Sequence, residues 1–182
     1  LHFKRPGRGI IPIYPIPVSR SMTGRENVPM ADRLVIRAVE PGCKESIDLQ
    51  WEMRRELDAM YDETTIDPPP LEQFRLPRTA FLVAWLDEMP IGCGAITNLD
   101  ERTAHFKRVF VRPGFRGNGF GRRIMKALEE KATRLGYSVL FLETADKQME
   151  AIRMYESLGY ERMPCDGRVN CSERSICFEK KI

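Results

Sequence analysis

The chain has 182 residues, 42% of them hydrophobic and 30% charged, which is the size and balance of one soluble globular domain. No apolar run approaches the roughly 20 residues that a membrane helix needs, and the proline-broken start lacks the apolar stretch of a signal peptide, so no membrane partner is expected. The net charge of +3 hides an asymmetry: Lys4, Arg5, Arg8, Arg20 and Arg25 face Glu26 alone, which leaves −1 for residues 30–182 and argues against a nucleic-acid surface on the body.

Residues 1–29 read as a basic, proline-rich arm. Ile11 to Pro17 alternates proline with apolar residues, a pattern that favours an extended chain. Met30 looks like a natural start, so the arm is expected to be a leader to a domain over residues 30–182. The alternative is a docking arm for a partner or a nucleic acid.

Leu34 to Val39 alternates as a short strand, ended by Pro41-Gly42. From Lys44 to Tyr61, Leu49, Met53, Leu57 and Met60 recur at helical spacing, with Ile47 and Trp51 beside them, which predicts a helix with a core face. Asp67 to Pro70 cannot be regular structure and would border a substrate pocket. A meander follows: Thr79–Leu86, covered on both faces; Ile91–Leu99, where Gly92 and Gly94 permit a bulge; and Thr103–Val111. Turns this short make the three strands antiparallel neighbours.

Next comes a glycine-rich turn, Arg116-Gly117-Asn118-Gly119-Phe120-Gly121, opening a helix to Leu135 with Ile124, Leu128, Ala132 and Leu135 on one stripe and Gly136 as its cap. The first N–H groups of that helix lack intrahelical partners, and with the helix dipole they make an anion site. A nucleoside triphosphate loop needs Lys-Ser/Thr after the last glycine; Arg122-Arg123 stands there instead. A dinucleotide fingerprint is disfavoured by the spacing Gly117-x-Gly119-x-Gly121 and by the antiparallel strands before it. Ser138–Glu143 reads as a strand parallel to Thr103–Val111, reached by a right-handed crossover. A helix from about Lys147 to Leu158 stops at Gly159, and Tyr160–Met163 and Ser175–Lys181 read as two last strands. The expected class is α/β (α+β): a mixed sheet of about six to seven strands, its N-terminal half antiparallel, a parallel pair near its centre, and about four flanking helices.

The turn with its approach, Val109-Phe-Val-Arg-Pro113, resembles motif A of the GNAT superfamily of N-acetyltransferases. Leu142-Glu-Thr144, Gln148 to Tyr155 and Leu158-Gly-Tyr160 are similar to that family's second cofactor motif, and the resemblance covers most of residues 30–182. It implies acetyl-coenzyme A as cosubstrate, a central strand pair splayed beside it, and a small-molecule, amino-acid or peptide amine as acceptor. Backbone groups of Val109 and Val111 would bind the pantetheine arm. Arg116, Gly117, Asn118, Gly119, Gly121 and Arg122 would hold the pyrophosphate, with Gln148 opening the second motif. Tyr155 matches the tyrosine near the coenzyme sulfur, where a phenol can protonate the leaving thiolate; its plainer role is a half-buried aromatic with one hydrogen bond.

The general base stays open. Many relatives carry a glutamate two positions before a Lys-Arg pair on the third meander strand. Here that position is His105, a departure, although histidine's ordinary pKa of about 6.5 suits base chemistry. Glu143 is the second candidate, and ordered water the third. Asp62, Glu63 and Asp67 could draw a cationic amine, but such acids are as readily solvated. Selectivity would lie in the first helix, the Asp67–Arg78 loop and Pro164–Glu173. Two rivals remain: a coenzyme A sensor or scaffold without catalysis, and a protein acting through its basic arm. The resemblance also allows a homodimer through the final strands. Five cysteines, an odd number with no secretory signal, lead us to expect reduced thiols and a cytoplasmic protein; Cys165, Cys171 and Cys177 lie six apart, not a familiar zinc spacing, and no metal is expected.

Overall fold

A computed structural model describes residues 29–182 apart from 166, 168 and 170. The arm expected over residues 1–29 therefore lies, save Pro29, outside the described residues.

One seven-stranded sheet carries the structure. Its strands are β1 (Leu34–Val39), β2 (Ala80–Leu86), β3 (Met89–Asn98), β4 (Thr103–Val111), β5 (Val139–Ala145), β6 (Glu161–Met163) and β7 (Ser175–Lys181), in the order β1-β2-β3-β4-β5-β7-β6. Only β4 and β5 run parallel, and they occupy the centre as expected. Three α-helices flank the sheet among the described residues: α1 (Lys44–Tyr61), α2 (Phe120–Arg134) and α3 (Met149–Ser157). The fourth expected helix does not form there. The prolines at 68 to 70 break the segment with room for it, which makes one 3-10 turn, Glu72–Phe74. No described helix is long and apolar enough to cross a membrane.

β2 is buried on both faces and has no charged residue to expose. Leu82, Ala84 and Leu86 join Ile124, Leu128 and Ala132 of α2, while Phe81, Val83 and Trp85 join Leu49 and Met53 of α1. The α2 layer lies very close. A Cβ on Gly94 would stand 2.7 Å from Leu128 Cδ1, and one on Gly92 would stand 2.6 Å from the Phe110 carbonyl oxygen. Glycine at these two positions lets helix and strand approach each other.

A bulge in β4 decides what the site looks like. Register between β3 and β4 slips between Cys93 and Ala95, opposite Arg108, which holds a left-handed φ of 57°. Before the bulge, Ala104 and Phe106 face the α2 core; after it Val109 and Val111 do, and Phe110 turns to α1. Beyond it the central pair also parts: β4 and β5 are in register from Thr103–Val139 to Phe106–Leu142 and no further, although both strands continue.

The expectation of reduced thiols is corrected at the far edge of the sheet. Cys165 and Cys177 form a disulfide, with Cα atoms 5.5 Å apart. Met163 is paired with Cys177 across β6 and β7, so the chain leaving β6 delivers Cys165 beside its partner. Cys171 joins them, its sulfur 3.6 Å from that of Cys177. A spacing of six residues shows none of this, because the grouping is made by the β6–β7 pairing.

Candidate active site

The parting of β4 from β5 opens a cavity of about 440 Å³, closed by α1 on one side and by α3 and the turn before α2 on the other. Val109, Val111, Gln148 and Tyr155 line it, together with Met53, Leu57 and Met60 of α1. The stripe read as core packing thus ends in a cavity wall. A smaller hollow of about 130 Å³ continues between the splayed strands, where Lys107 and Arg108 face Glu143 and Thr144; Tyr155 and Gln148 border both.

The turn leaves open space before a row of free backbone donors. Gly117 and Gly119 have φ of 78° and 76°, which L side chains rarely adopt, and a Cβ on either would meet nothing within 4 Å. Gly121 differs: its Cβ would stand 3.0 Å from Met154 Sδ, so this glycine lets α3 approach α2. The first helical bond runs from Arg123 N–H to the Gly119 carbonyl, and among the described residues the N–H groups from Gly117 to Arg122 meet no backbone acceptor. They lie at the positive end of a 15-residue helix.

Other predicted turn residues have been given different work. Arg116 donates its own N–H to the Pro113 carbonyl at 3.2 Å. Its side chain reaches back to the Val111 carbonyl at 2.9 Å and to Glu56 Oε2 at 2.7 Å. Asn118 ties the turn from within through the Phe115 and Arg116 carbonyls. Arg122 donates to Ser157 Oγ at 2.5 Å, at the end of α3. Sequence reasoning missed the clamp that holds the turn. Arg112 forms a two-point pair with Glu52, both bonds 2.7 Å, and Arg116 repeats the contact one helical turn along with Glu56. Glu52 and Glu56 are four apart on α1, and Arg112 and Arg116 are four apart in the loop; that matched spacing was the available signal.

Tyr155 is 5% exposed and makes edge contacts with Tyr160 and Phe178, at ring distances of 6.0 and 5.8 Å. Burial pushes its phenol well above the ordinary tyrosine range, so it carries its proton at neutral pH. The two base candidates are brought together but placed differently. His105 is 3% exposed, edge-on to Phe141, and lines neither cavity. Its Nε2 stands 3.3 Å from Glu143 Oε2, close enough for an ion pair but not aligned as a hydrogen bond. Glu143 itself lines the smaller hollow. Burial pushes its carboxyl up, but His105, Lys107 and Arg108 outweigh burial and hold it below the ordinary carboxylate range. Glu143 is thus the ionised group facing the opening, with His105 behind it.

Against known proteins, residues 43–160 match the model of the acetyltransferase (GNAT) family. A protein named IAA acetyltransferase from Azospirillum brasilense is 33% identical over 137 residues, which span 75% of this chain and 90% of that protein. An acetyltransferase from Streptococcus agalactiae shares the fold, with a TM-score of 0.69 at 17% identity over 82% of this chain and 99% of that one. A GNAT family acetyltransferase from Elizabethkingia anophelis, solved with acetyl-CoA bound, superposes with a TM-score of 0.61 at 17% identity, covering 83% and 99%.

Proposed function

The chain belongs to the GNAT acetyltransferase family and is an acyltransferase, and on that premise we propose that it moves an acetyl group from acetyl-coenzyme A directly to a primary amine of a small molecule, amino acid or peptide. The observation that carries this reading is the continuity of two features in one cavity. At one end six N–H groups from Gly117 to Arg122 await an anion; at the other the opening between β4 and β5 is bordered by Tyr155 and Glu143. The turn suits a pyrophosphate, with Gly117 and Gly119 clearing its approach. Past Phe106 the edge of β4 is free of β5, which suits hydrogen bonds to the amides of an extended pantetheine arm. That acetyl-CoA occupies the related Elizabethkingia structure agrees with this assignment.

The chemistry follows from the groups at the inner end. The thioester supplies an acyl carbon with a good leaving group. A neutral amine attacks that carbon, the C–S bond breaks, and the Tyr155 phenol gives its proton to the departing sulfur and is restored by the proton the acylated nitrogen loses as the amide forms. The proton that the incoming ammonium must lose goes to Glu143, directly or through water. His105, out of reach of the cavity, positions Glu143. On this reading Glu143 is the nearer base and His105 its support, where the sequence left His105, Glu143 and ordered water open. Incubating the protein with acetyl-CoA and a panel of amines, amino acids and peptides tests the reading. Thiol release matched mole for mole by an N-acetylated product is expected. Tight binding of acetyl-CoA without any acetylated amine would instead support a coenzyme A sensor.

A further inference from the structure

The hollow beyond Tyr155 holds more positive charge than amine chemistry needs. Arg108 sits on the bulge of β4, and among the described residues it is the one non-glycine residue inside a strand with a left-handed φ. Its Nε is buried and finds no hydrogen-bond acceptor. Elsewhere Arg33, Arg75, Arg112 and Arg116 each hold a carboxylate. Arg108 forms no such pair among the described residues. Arg54 of α1, half-buried and likewise without an ion pair among the described residues, adds positive charge to its surroundings. Lys107, also half-buried, adds a third positive group. Glu143 is the single acid lining this hollow.

A buried guanidinium N–H with no acceptor costs free energy. A fold keeps such a set where something else completes it. Burial first, then Arg54, press the Arg108 guanidinium below its ordinary range against the smaller opposing pull of Cys93 and Glu143. We infer that the acceptor amine carries a carboxylate, held by Arg108 with Lys107 beside it in the hollow between β4 and β5. Both signs of the hollow are then used: the amine faces Glu143 and the carboxylate faces Arg108 and Lys107, the arrangement an amino acid offers. This rests on the amine-acetylation reading and narrows it to acceptors with a free acid group.

Binding of the product tests the inference without turnover. N-acetylalanine, N-acetylleucine and N-acetylphenylalanine are titrated calorimetrically into the protein saturated with coenzyme A, beside the matching carboxamides. At least one free acid is expected to bind about 10- to 100-fold tighter than its amide, the range of a hydrogen bond to a charged group. Arg108→Gln should abolish that preference, and Lys107→Gln should reduce it while leaving the melting temperature near that of the wild type. Equal binding of acids and amides, no binding of any acid, or a preference that survives in both variants overturns the inference. The amine panel judges the acetyltransferase reading separately: turnover of amines that lack a carboxylate, with no acid preference here, would leave that reading standing and this one refuted.

Discussion

At the scale of single residues, the account turns on where one proton sits. Tyr155 is held neutral by burial rather than by a hydrogen bond, which makes it a donor in waiting beside the opening. Tyr155→Phe keeps the ring contacts with Tyr160 and Phe178 and removes only the proton. We expect kcat to fall by about 10²-fold or more with the KM for acetyl-CoA little changed; an unchanged kcat would assign the tyrosine to packing alone. The same burial has a consequence for stability. A phenol whose pKa is raised by folding contributes fully below its unfolded value, about 10, and that contribution is lost as pH climbs from there toward the folded value. The denaturant midpoint should therefore decline above about pH 10. The decline should be shallower in Tyr155→Phe; an identical pH profile for the two proteins would contradict it.

Among the elements, α1 does more than cover the sheet. Its Leu49 and Met53 fill the core, Leu57 and Met60 wall the cavity, and Glu52 and Glu56 grip the loop that presents the anion site. The Glu52–Arg112 pair is mostly shielded, with side chains 25% and 19% exposed. Removing the acid leaves a half-buried guanidinium, so Glu52→Ala should cost about 1–3 kcal/mol. That is a fall in melting temperature of roughly 2–4 °C per kcal/mol for a chain of this size. The KM for acetyl-CoA should rise too, because the turn loses its tether. A variant that melts earlier but binds acetyl-CoA as before would limit the clamp to stability.

For the molecule as a whole, legibility followed the range of the interaction. β1, α1, β4 and β7 could be bounded from sequence because period-two and period-3.6 patterns are local, and the parallel pair followed from strand, helix and strand in that order. The glycine turn was legible because conformation, not packing, demands Gly117 and Gly119. What depends on distant partners was not. The Glu52–Arg112 pair joins residues sixty apart, the Cys165–Cys177 bond needs the β6–β7 register, and the bulge at Arg108 reverses the faces of β4 without any mark in the alternation. His105, suitable by residue type, lies outside the cavity because it sits where β4 is still paired with β5, whereas Glu143 lies past the last pair and borders the opening.

The central claim is that the Gly117–Arg122 turn holds the pyrophosphate of the cosubstrate. Calorimetric titration of coenzyme A into the wild-type protein and into Gly119→Val tests it most directly. A side chain there would stand in the open space before the N–H groups and strain a left-handed φ. Measurable binding by the wild type is expected, with a loss of about tenfold or more in the variant, about 1.4 kcal/mol or above, and the fold retained by circular dichroism. Equal affinity in the two folded proteins, or no binding by either, would contradict it.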